Sequence, residues 1–231
     1  MYKIFNVFIF ISILTIYALD NTNLIADHLD EFDGEFRLSG QIVNGTSPTD
    51  ETIYEIKLMA TQNSSSELID IEIINTNKNF DFKKVIVDEA FTYFLIVNHQ
   101  DIPTIVFVED IENPENINIT VYDRVFTPKD IDVIDYSIMI PHISPDSDII
   151  SVLGLISFTN NSNSTYFADL TDPNTSGLNL LRFSLPENFE NLSVDSDLPP
   201  GNVMQIPTGF ALSNPVPPGD HQILYSYSMP R

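Results

Sequence analysis

The chain has 231 residues, 43% of them hydrophobic, and its ten basic residues stand against thirty-three acidic ones, giving a formal net charge of −23. A field of that sign repels phosphate backbones, so the composition argues against nucleic-acid binding. There is no cysteine, which excludes a disulfide framework and a lipoprotein anchor. Sixteen Phe, nine Tyr and fifteen Pro favour short β-strands over long helices.

The N-terminus has the order of regions found in secretory signals. Lys3 precedes an apolar run from Ile4 to Leu19, and polar DNTN follows that run. The run is shorter than the roughly 20 apolar residues of a membrane-spanning helix and it contains Asn6, so cleavage is favoured over an uncleaved anchor. The sequence therefore predicts a signal peptide over residues 1–19, a polar linker over 20–34, and export to the periplasm, the cell surface or the extracellular space.

Seven short segments with alternating hydrophobicity follow the linker, separated by turn residues such as Asn44-Gly45 and Asn113-Pro114. They are FRLSGQIV, TIYEIKLMA, ELIDIEII, NFDFKKV, FTYFLIV, PTIVFV and NINITVYD. The alternation predicts inward rows, among them Ile69, Ile71 and Ile73 in the third segment. This series predicts one β-sandwich over residues 35–125.

A second series of strands begins beyond a predicted hinge at Thr127-Pro128-Lys129. Its segments are IDVIDYSIMI, DIISVLGLISF, TYFA, LNLLRFSLP, NLSV, NVMQIP, GFAL and HQILYSYSM. In the last of these, Ile223, Tyr225 and Tyr227 alternate with Gln222, Leu224, Ser226 and Ser228 and are predicted to face a core. The sequence therefore predicts an all-β protein with two tandem antiparallel β-sandwiches, the second over residues 129–231.

Three stretches of the first half resemble a known family. They are GQIVNGT (residues 40–46), KNFDFKKV (78–85) and YFLIV (93–97). Together they are similar to the carboxypeptidase regulatory-like domain, whose members open with G-x-V and continue with G-x-F-x-F-x-x-V and Y-x-L-x-V. Ile42 and Lys78 stand where that family has Val and Gly. The resemblance implies a seven-stranded transthyretin-like (Ig-like) sandwich with an accessory, non-catalytic role.

The second half is similar to the segment that follows such a domain in uncharacterised exported bacterial proteins. Its stretches ISFTNNSNSTY, LRFSLPENFENLSV and GFALSNPVPPGDHQILYSYSMP carry this likeness. In those relatives the chain commonly continues into further strands and a membrane helix. The resemblance therefore implies that the chain continues past Arg231 and that this missing C-terminal segment supplies a membrane tether. HQILYSYSM itself is interpreted as the closing strand of the second sandwich.

Acidic residues are the only abundant residues that could take part in catalysis. The sequence lacks HExxH, G-x-S-x-G and glycine-rich phosphate motifs. We therefore expect no catalytic residues and no cofactor. Closely spaced acids nevertheless make Asp130, Asp132, Asp146 and Asp148 candidate Ca²⁺ ligands, with solvated turn acids as the default interpretation. A hydrolase would need a raised carboxyl pKa inside a cleft, and a sequence does not reveal clefts.

Phe91 and Phe94 are candidate sugar-stacking residues, since aromatic rings bind carbohydrate faces, although Trp is absent. The alternative is packing in the protein. We therefore expect a non-enzymatic structural or interaction module of the cell envelope that binds a protein partner through sheet edges or end loops. A carbohydrate-binding module and a hydrolase or hydrolase accessory domain are the two alternatives.

Overall fold

The computed structural model describes residues 35–49, 51–62, 68–86, 88, 90–108, 116–141, 148–170 and 179–231. The predicted signal peptide and linker lie outside these residues. Sixteen β-strands make up the regular structure of the described part, which confirms the all-β prediction. Among those residues no helix has the length and apolarity needed to cross a bilayer.

The chain divides into two compact units, Met1–Asp123 and Arg124–Arg231. The division lies a few residues before the Thr127-Pro128-Lys129 segment that the sequence suggested as a hinge. Arg124 and Val125 form a short strand that pairs with Thr165 and Tyr166, so they belong with the second unit. We call the two parts the first unit and the second unit.

The first unit contains seven described strands in two sheets. They are β1 (Glu35–Asn44), β2 (Tyr54–Gln62), β3 (Leu68–Thr76), β4 (Asn79–Ile86), β5 (Phe91–His99), β6 (Ile102–Phe107) and β7 (Ile117–Val121). One sheet has the order β3-β2-β5-β6 and the other β4-β1-β7. The prediction of antiparallel pairing is wrong for β1 and β7, which run parallel. Parallel pairing needs a long connection between the two strands, and here β2 to β6 lie between β1 and β7 in the sequence.

Side chains from both sheets form one core in the first unit. Its fully buried centre includes Ile56, Leu58, Phe82, Leu95 and Val97. In β2 every second side chain from Tyr54 to Ala60 is buried, as the alternation predicted. Two sheets that face each other over a shared core make this unit a β-sandwich.

The predicted inward row of β3 is wrong at its end. Ile74 packs against the core, whereas Ile73 is 49% exposed. The pairing of β2 with β3 shifts between Leu58 and Met59, which leaves Ile71 as an extra residue in β3. Such a bulge exchanges the inward and outward positions that follow it.

The second unit contains the remaining nine described strands. They are β8 (Arg124–Val125), β9 (Ile131–Met139), β10 (Ile149–Asn160), β11 (Thr165–Tyr166), β12 (Leu181–Ser184), β13 (Glu190–Ser196), β14 (Val203–Ile206), β15 (Gly209–Leu212) and β16 (Gly219–Pro230). A four-stranded sheet, β13-β16-β10-β9, and a three-stranded sheet, β12-β15-β14, accompany the β8-β11 pair. That pair is parallel, which is a second departure from the predicted antiparallel pattern.

The long strands β10 and β16 carry the core of the second unit. Ile223, Tyr225 and Tyr227 are buried, as predicted from the final strand. The ring of Tyr225 meets the three-stranded sheet, since its centroid lies 5.5 Å from that of Phe210 in β15. Gly154 in β10 provides the room for Tyr225, because a Cβ atom there would lie 2.1 Å from Tyr225 Cζ.

Replacing Gly154 with Ala should therefore destabilise the second unit. The added methyl group forces Tyr225 out of its position, and overpacking of this kind costs about 1–3 kcal/mol. Urea unfolding of the full chain measures the loss, and hydrogen exchange of β10 and β16 peptides localises it. Ser151→Ala, at an exposed position of the same strand, is the control; equal stability of the two variants would contradict the role of Gly154.

Candidate functional site

Strand β9 is exposed on both faces, unlike the other strands of its sheet. Every described side chain from Asp132 to Pro141 is exposed, whereas β10 and β16 bury alternate residues. The exposed side chains include six large apolar ones that are 47–63% accessible: Val133, Ile134, Tyr136, Ile138, Met139 and Ile140. Contiguous apolar surface of this kind marks interaction sites in soluble proteins.

The exposure of β9 follows from the unequal sizes of the two sheets. β9 is a nine-residue edge strand of a four-stranded sheet, while the facing sheet has three strands of four residues each. The core-facing side of β9 therefore extends beyond the described strands that could cover it. Val133 and Tyr136 lie opposite the buried residues Phe158 and Ile156 of β10, so both point to this uncovered inner side.

A bulge at Ile134 sets the arrangement of side chains along β9. Ser157 pairs with Asp135 and Phe158 pairs with Val133, which leaves Ile134 as the extra residue. The bulge brings Val133 onto the same side as Tyr136 and Ile138, although a regular alternation would separate them. The inner side of β9 is therefore a continuous apolar row.

Tyr136 connects this edge to the core. Its hydroxyl group lies 2.6 Å from the hydroxyl of buried Tyr225, close enough for a hydrogen bond. Burial raises the pKa of Tyr225 well above its usual value, and the neighbouring Tyr136 raises it further. Tyr225 therefore keeps its hydroxyl proton, and the hydrogen bond between the two hydroxyl groups fixes the inner face of β9 relative to β16.

The charges of β9 lie in its N-terminal half. Asp132 and Asp135 are opposite Thr159 and Ser157, on the outer side of the sheet. Asp132 accepts a hydrogen bond from Asn161 Nδ2 at 2.9 Å, and Asp135 accepts one from Ser137 Oγ at 2.8 Å. The stretch from Tyr136 to Ile140 has no charged side chain. β9 therefore has an acidic half and an apolar half.

A second group of polar residues surrounds Asp123 at one end of the first unit. Asp123 Oδ1 accepts hydrogen bonds from Asn44 Nδ2 and His99 Nε2, each at 2.8 Å. Ser47 Oγ donates to Asp123 Oδ2 at 3.0 Å, and the backbone N–H of Asp123 donates to Thr46 Oγ1 at 2.9 Å. These residues come from the ends of β1, β5 and β7, so the Asp123 cluster joins the two sheets.

The geometry of the Asp123 cluster suits a structural role. Ser47 and His99 both bind the carboxylate, and no hydrogen bond between them is found in the described contacts, so the serine lacks the base that a nucleophile requires. Burial alone would raise the pKa of Asp123, but hydrogen bonds from His99, Asn44 and Ser47 outweigh it, and the pKa lies below its usual value. An ionised carboxylate with several donors is a stable connection between strands.

The three candidate Ca²⁺ ligands that the structure describes, Asp130, Asp132 and Asp148, do not belong to a metal-binding cluster of described residues. Within the described ranges no group of three or more His, Cys, Asp or Glu residues could hold a metal ion. Asp130 is 3.9 Å from Lys129 Nζ, and Asp132 binds Asn161. The backbone oxygen of Asp148 accepts from Arg231, and Asp146 lies outside the described residues.

The two candidate sugar-binding residues are placed in the first unit as packed side chains. Phe94 is 4% exposed and its ring lies 5.9 Å from that of Phe107. Phe91 is half-buried against the core. Tyr93 is buried in that core. These positions do not form an exposed aromatic platform.

Sequence reasoning did not single out β9 or the Asp123 cluster. The segment IDVIDYSIMI contained a usable signal for β9, because apolar residues occupy both alternation classes in YSIMI. The Asp123 cluster gave no such signal, since Asn44 and Asp123 are 79 positions apart. Pairing of β1 with β7 is what brings them together.

No protein-family model matches the chain, and no curated protein is similar to it. The likeness to a carboxypeptidase regulatory-like domain therefore stays a prediction.

Replacing Asp123 with Asn should lower the stability of the first unit at neutral pH by about 1–3 kcal/mol, because the amide keeps only one acceptor oxygen and the donors that face its NH2 group lose theirs. Because the pKa of Asp123 is lowered in the folded protein, its carboxylate stabilises the fold at any pH above the pKa of the unfolded carboxyl. This stability is lost as the pH falls through the pKa of the folded protein. The variant should therefore also lose part of the acid dependence of unfolding. Urea titrations of the full chain at neutral pH and at about pH 3 measure both effects.

Asp70→Asn is the control for this prediction, because Asp70 is an exposed carboxylate of the same unit. It should leave neutral stability nearly unchanged. The role of Asp123 is contradicted if both variants lose the same stability, or if the acid dependence is the same with and without the Asp123 carboxylate.

Proposed function

We propose that the chain is an exported, non-catalytic interaction module of the cell envelope that binds a protein partner through the edge of a β-sheet. The observation that carries this proposal is β9, an edge strand with apolar side chains exposed on both faces. Addition of a strand to such an edge is a common mode of protein recognition. A chain of two tandem sandwiches, the first of the carboxypeptidase regulatory-like type, would present this edge as an accessory module.

Two further features support a binding role over an enzymatic one. The Asp123 cluster directs its donors to one carboxylate, which holds strands together. The exposed apolar side chains of β9 lie on a strand edge, where backbone groups as well as side chains can take part in recognition. Export is supported by the apolar run of residues 4–19 behind Lys3.

Export can be tested with a reporter that is active only outside the cytoplasm. Residues 1–34 fused to alkaline phosphatase without its own signal should give an active, shortened reporter, because the segment directs translocation and is then removed. A fusion that begins at residue 20 is the control and should be inactive. Activity of both fusions, or of neither, would argue against export by this segment.

Partner binding can be tested with a photo-cross-linking amino acid at Ile138 of the full chain, expressed in the source organism. We expect a discrete adduct with one envelope protein, because Ile138 lies in the exposed edge. Val203, an exposed apolar residue of the edge strand β14, is the matched control and should give no such adduct. An absence of adducts from Ile138, or the same adducts from both positions, would contradict the proposal.

A further inference from the structure

We infer that β9 binds, by antiparallel strand addition, an extended segment of its partner with two properties: apolar residues along one face, and lysine or arginine on the other face near the C-terminal end. This inference rests on the proposed function and specifies the chemistry of the partner. The free edge of β9, the orientation of its side chains and the distribution of its charges support it.

The free edge supplies the backbone hydrogen bonds. β9 pairs with β10, and within the described strands it has no neighbour on its other side. Alternate N–H and C=O groups of a strand point to each side, so the unpaired edge offers a ladder to an added strand. Antiparallel pairs are the more common and slightly more stable arrangement.

The inner side of β9 selects apolar residues. Val133, Tyr136 and Ile138 form the apolar row on the side that faces the core of the second unit. An added strand places its own inward side chains next to this row and covers it. Those side chains must be apolar, because burying polar groups against Val133 and Ile138 leaves them without hydrogen-bond partners.

The outer side selects positive charge at one end. Asp132 and Asp135 lie there, and the strand has no basic residue to neutralise them. A carboxylate accepts about four hydrogen bonds, so their contacts with Asn161 and Ser137 leave capacity for a lysine or arginine. In an antiparallel partner the residues opposite Asp135 and Asp132 follow those opposite Ile140 and Tyr136. The partner segment therefore becomes basic toward its C-terminal end.

A second copy of this chain fits the edge poorly. Full antiparallel overlap of two β9 strands places the acidic half of each against the apolar half of the other. Overlap of the apolar halves alone uses only Tyr136–Ile140 and leaves the aspartates unpaired. Each copy also carries a formal net charge of −23, and like charges oppose association. Charge complementarity thus favours a basic partner over self-association.

The experiment uses the peptide VTITVKIKV, whose apolar positions alternate with Thr and then with Lys, in two N-methylated forms. One form carries N-methyl groups on the odd-numbered amides and the other on the even-numbered amides. The two forms have the same composition and charge and differ in which edge is blocked. If β9 adds a strand, one form should bind the full chain at least about tenfold more tightly than the other, since only one retains its donors toward β9.

Fluorescence anisotropy of the labelled peptides measures the affinities, and hydrogen exchange should show new protection in β9 with the form that binds. Ile138→Lys should abolish this difference between the two forms, whereas Val203→Lys should preserve it. The double variant Asp132→Asn, Asp135→Asn should bind the peptide about tenfold more weakly and with less salt dependence, because two ion pairs are lost.

Equal binding of the two forms, or no binding of either, would overturn strand addition. A dimer by light scattering that disappears with Ile138→Lys would show that a second copy occupies β9, which overturns the partner inferred here. These failures are distinguishable from failure of the proposed function. A specific Ile138 adduct with an envelope protein, together with equal binding of both peptides, would keep the interaction role and reject strand addition.

Discussion

The structure depends on burial of alternating apolar side chains between facing sheets. The chain has no cysteine, so no covalent cross-link assists folding. In the first unit Phe82 and Leu95 come from opposite sheets and both are fully buried. Each such side chain contributes about 1.5–3 kcal/mol when it is removed from water. The Asp123 cluster adds a polar connection at the end of this core, where hydrogen bonds rather than apolar contacts hold β1, β5 and β7 together.

The same requirement explains why the second unit has an exposed edge. A sandwich buries a strand only where the other sheet is wide enough to cover it, and here four strands face three shorter ones. Gly154 allows Tyr225 to lie over β10, and Tyr225 then reaches the hydroxyl of Tyr136. This contact fixes the position of β9 relative to the core while its apolar side chains stay in solvent. The edge is therefore ordered by the core and yet not covered by it.

Alternation in the sequence predicts the strands well, because the period of two is a local property. The inward rows of β2 and β16 followed directly from it. The bulges at Ile71 and Ile134 could not be predicted, since a bulge is defined by the pairing of two strands, and that pairing depends on the whole fold. Strand direction was missed for the same reason. The exposure of β9 also depends on the width of the facing sheet, which no single segment encodes.

The chemistry along β9 bears on how an exposed edge can be tolerated. Soluble proteins protect edge strands with charges and bulges, which prevent non-specific pairing. β9 has both in its first half, where Asp132, Ile134 and Asp135 lie. The second half, from Tyr136 to Ile140, has neither, and it carries the larger share of exposed apolar surface. General acidity keeps copies of the chain apart but does not repel a basic segment. The negative charge of the chain therefore protects β9 against pairing with a second copy and still allows a basic partner to bind.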